Sequence, residues 1–461
     1  MAGKVKKGFG TYLFLLLLAI IAAFLIVLLV MLFNPFKKIM GYQYFYYDDV
    51  LYEYNVTGGT TEEIFDLSAM EEIKVNCNYA NVKVYKTSEV ENNAIKIENR
   101  TKGFAKANAD VDFTYKIYYE EGSSNKVLCV DVDEVSGSLY FSRKVAVSIL
   151  IPEESPSTLT GTVVDIANTS GDVYIGYGSA DEGQFQVEGI NVKTKSGDIK
   201  LGPVLSTGMK DVFIKSDKGN IKAINDIVAT NSFNVNSKSG KVSFKNLTLN
   251  GSANLILDSS EFFAQSITGN VDLEIYDGYF DVDKLSGTIS GNNAAEQMSS
   301  ARITIGEVNG NVSFPFANKA KIKISKMTEG SKLYVHGTSG SVTVGELRGY
   351  GWIEMTSGKV DVTTYSGLEV KTTKGDINVS YQGDSLANTL DITSQKGDVD
   401  LKVKESLAFI LNVFNAKGSL RDSYDISIEG FGTAFTFPLT INGGTNPINI
   451  TTNADVNVNF I

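Results

Sequence analysis

Twelve short segments of this chain superimpose on a single glycine, and that recurrence limits the fold more than any other feature of the sequence. The clearest copies read NTSGDVYIG (168–176), TKSGDIKLG (194–202), SDKGNIKAI (216–224), SKSGKVSFK (237–245), TTKGDINVS (372–380) and SQKGDVDLK (394–402). The glycines are Gly171, Gly197, Gly219, Gly240, Gly269, Gly287, Gly310, Gly340, Gly358, Gly375, Gly397 and Gly418, at a mean spacing of about 22 residues with gaps from 17 to 30. Two residues after each one stands Val, Ile or Leu, and a second apolar residue usually follows at four. Five and seven residues before it the pattern returns, as in Val192/Ile190, Ile214/Val212 and Ile392/Leu390. Apolar residues of period two on both sides of a glycine read as strand, turn, strand with one face buried. The glycine supplies the backbone freedom that a sharp corner needs.

A unit of this length cannot bury its apolar face alone, whereas stacked copies can. The chain is therefore expected to be all-β: an elongated β-solenoid of about 22-residue rungs over 156–461, preceded by one N-terminal transmembrane helix. A β-propeller is the alternative, but its blades take about 40 residues or more and no doubled period is present. Three residues before the glycine stand Asn168, Thr194, Ser216, Ser237, Ser266, Thr372, Ser394 and Asn415, on the inward parity. Such side chains are expected to hydrogen-bond from rung to rung and satisfy corner backbone groups. Over 269–345 the spacing stretches and the Asp after Gly is lost, which leaves the rung register open there. Residues 64–155 are strand-rich without the glycine repeat and read as an N-terminal β region or cap. The final INITTNADVNVNFI (448–461) reads as a last rung.

The N-terminus has a different character. After residues 1–11, which carry Lys4, Lys6 and Lys7, an apolar segment runs over 12–33, and the sequence is uncharged from Gly8 to Phe36. Twenty-two helical residues span about 33 Å, enough for a hydrocarbon core of about 30 Å. The basic, bulky exit MLFNPFKK lacks the small residues of a cleavage site, so this reads as an uncleaved anchor in the bilayer. Three lysines before it against two after it place the N-terminus in the cytoplasm and the remainder outside. The juxtamembrane segment 34–63 is rich in aromatics. Tyr42, Tyr44, Phe45, Tyr46 and Tyr47 suit an interfacial belt.

All 53 acids lie at or after Asp48, whereas five of the 42 basic residues flank the anchor, so the rest of the chain carries a formal charge of −16. That excludes nucleic acid as a partner, which needs a basic surface. Cys77 and Cys129 are the only cysteines and do not make a disulfide framework. Cys77 shares parity with Val75 and reads as a small buried hydrophobe, and a Cys77–Cys129 bridge stays open.

The run VAVSILIPEESPSTLTGTVVDIANTSGDVYIG, followed by VKTKSGDIKLG, VNSKSGKVSF and ITSQKGDVDL, resembles the "putative adhesin" domain family of bacterial envelope proteins over residues 64–461. The resemblance implies a bacterial, membrane-anchored, extracytoplasmic β-solenoid in a family whose biochemical role is largely undefined.

Catalytic chemistry has little to stand on. His336, the one histidine, lies beside a repeat corner and reads as an exposed turn residue, and no nucleophile-elbow motif is present. Asp272, Glu274, Asp281 and Asp283, with Asp277 nearby, form the densest acidic cluster and are the weak candidates for a cation or a glycan-cleaving carboxylate pair; Asp131 and Asp133 form another D-x-D. Set against this is a solvated acidic face, and no cofactor is expected. The leading reading is a non-enzymatic, adhesin-like scaffold contacting envelope polymers or surface proteins. The alternatives are a glycan-active β-helix enzyme using the acids of 272–283, and filament assembly through an uncapped, apolar C-terminal rung. The two Lys-Gly-Asp tripeptides, at 374–376 and 396–398, read as corner punctuation and not as a receptor motif.

Overall fold

The structure, a computed structural model, describes residues 9–33, 38–39, 42–58, 61–64, 67, 70–106, 114–120, 122–123, 127–133, 139–153, 159–177, 186–202, 208–291, 298, 300–415, 420–422 and 435–461. The alternating segments on either side of each corner stack into two parallel ladders that run the length of the body. The first carries 189–194 on 211–216 on 232–237 on 252–257, and the second carries Ile199–Leu201 on Ile221–Ala223 and 242–244 on 262–264. Long strands such as Ile227–Leu249 turn the corner without a break and join the ladders. Every second side chain points inward, so Ile190, Val192, Val212, Ile214, Phe233 and Val235 are buried from one ladder and Ile199, Leu201, Ile221 and Val242 from the other. The two inner faces meet. Phe233 of the first ladder contacts Phe244 of the second edge-on at 5.6 Å, and Phe262 stacks on Phe280 at 5.1 Å in the next rungs. On the middle rungs a third, short ladder (246–249, 266–269, 284–287, 307–310) closes the remaining side with Leu247, Ile267, Leu285 and Val308.

The repeat glycines are not one column. Gly171, Gly197, Gly219, Gly240, Gly340, Gly358, Gly375 and Gly397 stack at the corner between the first and second ladders, where a Cβ on each would meet the backbone of the rung before. Gly269, Gly287 and Gly310 stack on one another at a different corner, where the chain returns to the first ladder. Between Gly240 and Gly340 the first corner is held by Ser260, Gly278, Ala301 and Ala320. The long gaps of 29 and 30 residues in the spacing are thus the crossings from one corner to the other, and the ladder continues unbroken through 269–345. Gly418 lies outside the described residues.

Both ends depart from a simple stack. Residues 64–155 contribute rungs as well as a cap: Glu72–Cys77 and Ala80–Thr87 form one, and Val127–Asp133 with Val145–Pro152 lies parallel against it. Beyond that rung, Thr114–Tyr119 and Ala94–Asn99 run antiparallel and seal the end. At the other end, Pro447–Thr452 and Val456–Phe460 do not form the last rung. They insert between the rung of 390–403 and that of Phe409–Asn415 and Leu420–Asp422. Phe435–Ile441 then pairs antiparallel on Phe409–Asn415. Pro438 has no N–H to offer from that outer strand, which interrupts the row of donors along this edge of the first ladder.

The N-terminal segment forms a helix, α1 (Phe9–Phe33). Side chains are described for residues 13–28 of it, and among the described residues no helix is long and apolar enough by itself to cross a membrane. From Leu13 to Val27 its large apolar side chains are exposed on every side. Of the aromatics after it, Tyr46 is exposed but Phe45 is buried, so Phe45 does not belong to an exposed belt.

Cys77 and Cys129 are both free thiols. They lie on adjacent parallel strands, in register with Val132 and Lys74 respectively, but point to opposite sides of the ladder. Cys77 is inward with Val75; Cys129 is outward and covered by the strand carrying Tyr118. Burial pushes the Cys77 thiol up to about 12, so almost no thiolate exists at neutral pH. Ellman titration without reductant is expected to count two thiols after denaturation and to react very slowly with the native protein. A count of zero in denaturant would show a bridge.

Candidate functional surface

The corner columns account for most of the conspicuous polar residues. Asn168, Thr194, Ser216, Ser237, Thr372 and Ser394 are buried on the inward side, as their parity requires. Asn168 Nδ2 donates to the Ala80 carbonyl at 2.7 Å, Ser260 Oγ to Ser237 Oγ at 2.8 Å, and Thr372 Oγ1 is 2.7 Å from the Gly375 carbonyl and 3.1 Å from Ser394 Oγ. The buried hydroxyls of Thr194 and Ser216 have no hydrogen-bond partner, so the expected rung-to-rung bonding does not hold at those two. Ser266 stands apart, half-buried and bonded to Asn246, because its glycine belongs to the other corner. The side chain of Asn415 lies outside the described residues.

The residue after the corner glycine has an equally structural task. The Asp198 amide donates to Asp172 Oδ1 at 2.9 Å, the Asn220 amide to Asp198 Oδ1 at 2.7 Å, and the Lys241 amide to Asn220 Oδ1 at 3.0 Å. Asp376 and Asp398, the acids of the two Lys-Gly-Asp copies, do the same: Asp376 accepts from the Asp398 amide and Asp398 from the Asp455 amide, each at 3.1 Å. Either Asp or Asn serves, since the amide of the next rung needs only Oδ1; Asn220 adds a bond from Nδ2 to Asp198 Oδ1 at 3.1 Å.

The acidic candidates are divided by the fold. Asp272 and Glu274 lie on the strand Val271–Ile275 of the first ladder, Asp281 and Asp283 on Tyr279–Gly291 where it runs in the second. Because the ladders pack inner face to inner face, the two outward pairs point away from each other. Among the described residues no group of three or more His, Cys, Asp or Glu side chains could hold a metal ion. Asp281 accepts from Tyr279 Oη at 3.0 Å and lines a shallow cleft of about 320 Å³ with Asp283, Phe263, Gln265, Lys245 and Ile224. The Lys241 ammonium lies over one face of the Phe263 ring, 4.4 Å from its centroid. Asp131 is engaged by Asn76 Nδ2 and Tyr118 Oη, both at 2.8 Å. That bond to a carboxylate pushes the Tyr118 phenol well above its ordinary range. The side chain of Asp133 lies outside the described residues.

Sequence reasoning missed an aromatic group on the outer side of the first ladder. Tyr334 and Trp352, the only tryptophan, occupy one column in adjacent rungs, with ring centroids 4.5 Å apart and planes 4° from parallel. His336 is exposed but is not a turn residue; it lies within the strand Lys332–Gly337, its ring 6.4 Å from Trp352 and Nδ1 3.1 Å from the Pro315 carbonyl. The signal was available: Tyr334 and Trp352 share the outward parity of their strands.

Comparison with known proteins places this architecture in a family. The Toastrack DUF4097 family model matches residues 70–325 and 284–453, and the chain belongs to that family. No curated protein matches. Among solved structures, the chain is similar to one described as a "putative cell adhesion protein" from Clostridium sporogenes, at 10% identity and a TM-score of 0.16, covering 90% of this chain and 100% of that one. Another, a "putative adhesin" from Parabacteroides distasonis, gives 13% identity and a TM-score of 0.15, covering 89% and 97%.

Proposed function

We propose that this protein is a non-enzymatic, adhesin-like scaffold, anchored by its N-terminal helix in the cell membrane with the β-body displayed outside the cytoplasm, where it binds envelope polymers or surface proteins. The observation that carries the reading is the division of the acidic cluster between two outward faces, which leaves no four-acid site among the described residues. The anchor is supported by α1, whose exposed leucines, isoleucines and phenylalanines have no polar stripe and need an apolar surrounding. The lysine distribution supports the cytoplasmic N-terminus.

One observation favours the glycan-active alternative: Asp281 and Asp283 share a cleft with Phe263. Two carboxylates flanking a glycosidic bond are the minimum for hydrolysis. Against it, Asp281 is tied to Tyr279 and one face of Phe263 is covered by Lys241.

The test uses the full chain, with a C-terminal tag, in bacterial cells. Protease added to intact cells is expected to remove the tag, and the detergent-solubilised chain is expected to be retained on a cell-wall fraction without releasing soluble sugar. A tag protected until the cells are permeabilised would reverse the topology. Sugar release that Asp281→Asn abolishes would establish the enzyme instead.

A further inference from the structure

The geometry points to a carbohydrate-binding platform on the outer side of the first ladder, built on Tyr334 and Trp352 and fitted to an uncharged pyranose chain; we propose it as the site through which the scaffold reading above, on which it rests, engages an envelope polymer. Adjacent rungs are about 4.8 Å apart, and the two rings stack at 4.5 Å with nearly parallel planes. The ring planes therefore lie across the solenoid axis, and each ring covers one face of the other. Tyr334 has its second face toward the preceding rung, where its register partner is Ser313 and the one before that Ser290. Two short hydroxyl side chains do not cover a phenol ring, and Tyr334 is 39% exposed. The axial C–H face of a pyranose stacks on an aromatic face of this kind, the apolar body and polar rim of the ring matching those of the sugar.

The surroundings supply the polar half of the recognition. Lys332 and His336 flank Tyr334 on the same side of its strand, Glu354 flanks Trp352, and Glu369, paired with Lys371 at 2.5 Å, is the next residue in the column. These groups can hydrogen-bond the hydroxyls of a stacked sugar. Two rings are also far less than the roughly 800 Å² per partner of a stable protein interface. Charge selects within the carbohydrates: at the platform Lys332 and Lys371 balance Glu354 and Glu369, so no local cationic patch offsets the −16 formal charge of the body, which disfavours a polyanion against a neutral or N-acetylated chain.

Because Trp352 is the only tryptophan, fluorescence of the full chain in detergent reports the site directly. N-acetylglucosamine oligomers of six units are expected to change its emission saturably, and polygalacturonate of equal length is not. Tyr334→Ala is expected to weaken the oligomer about tenfold, the worth of one aromatic stacking contact. Tyr79→Ala, which alters an exposed aromatic near the N-terminal end of the stack, should bind as the unaltered chain does. No saturable response, equal binding of the polyanion, or full affinity in Tyr334→Ala would overturn the proposal. If the chain is retained on the cell-wall fraction while the oligomer fails, this site is wrong and the scaffold reading stands. If it is retained on neither, the scaffold reading fails with it.

Discussion

Gly375→Val is expected to destabilise the stack by about 3 kcal/mol or more, the upper end of the usual cost of overpacking. A Cβ at this position would fall on the carbonyl oxygen of Gly358 in the preceding rung, and the next nearest atoms are also Gly358 backbone. No side-chain rotation relieves that overlap; the rungs must separate. They carry Val360, Val362, Ile377 and Val379 in the core, so separation opens the apolar interior to water. At the neighbouring position, Asp376→Asn should change stability by less than about 0.5 kcal/mol, because Oδ1 remains to accept from the Asp398 amide. Asp376→Ala should cost about 0.5–1.5 kcal/mol, one hydrogen bond. Urea unfolding of the three variants orders them. Binding to cells lost in Asp376→Asn, with stability unchanged, would revive the Lys-Gly-Asp tripeptide as a recognition motif.

Removal of residues 447–461 is expected to unravel far more than a tail. The two strands lost carry Ile448, Ile450, Val456 and Val458, all buried, at about 1.5–3 kcal/mol each. Their place is internal. Asn449 donates to Asp391 on one side at 2.6 Å and accepts from Asn412 on the other at 2.8 Å, a bridge across three rungs. Truncation therefore leaves the strands Leu390–Ser394 and Val399–Val403 facing Phe409–Asn415 and Leu420–Asp422 with unpaired edges. Hydrogen exchange should lose protection in both segments and in Phe435–Ile441, which hangs on Phe409–Asn415. A terminal rung would leave 409–415 protected, and that outcome would contradict the topology.

The corner glycines, the inward polar residues and the alternating core were legible because each is a local pattern. A glycine, its apolar partner two residues on and its polar partner three residues before lie within one corner, and the chain's own pleat fixes their directions. The two-corner arrangement is also written in the sequence, one position along from the inward polar column. Two residues before the first-corner glycines stand Thr169, Lys195, Asp217, Lys238, Thr338, Thr356, Thr373 and Gln395, all polar. Before the second-corner glycines stand Ile267, Leu285 and Val308, all buried in the short third ladder. Aligning on glycine alone merged two classes of corner.

The sequence by itself determined the parallel stack, the faces of its strands and the all-apolar character of the N-terminal segment, since these depend on periodicity and on interactions between residues close along the chain. Only the tertiary structure decided which rung lies against which at the two ends, that Cys77 and Cys129 face away from each other, that the acids of 272–283 part onto opposite faces, and that Tyr334 and Trp352 meet. The physical reason is that stacking brings together residues about twenty positions apart in the middle of the body but 57 or 58 apart at its C-terminal end, and nothing in a local period announces the change.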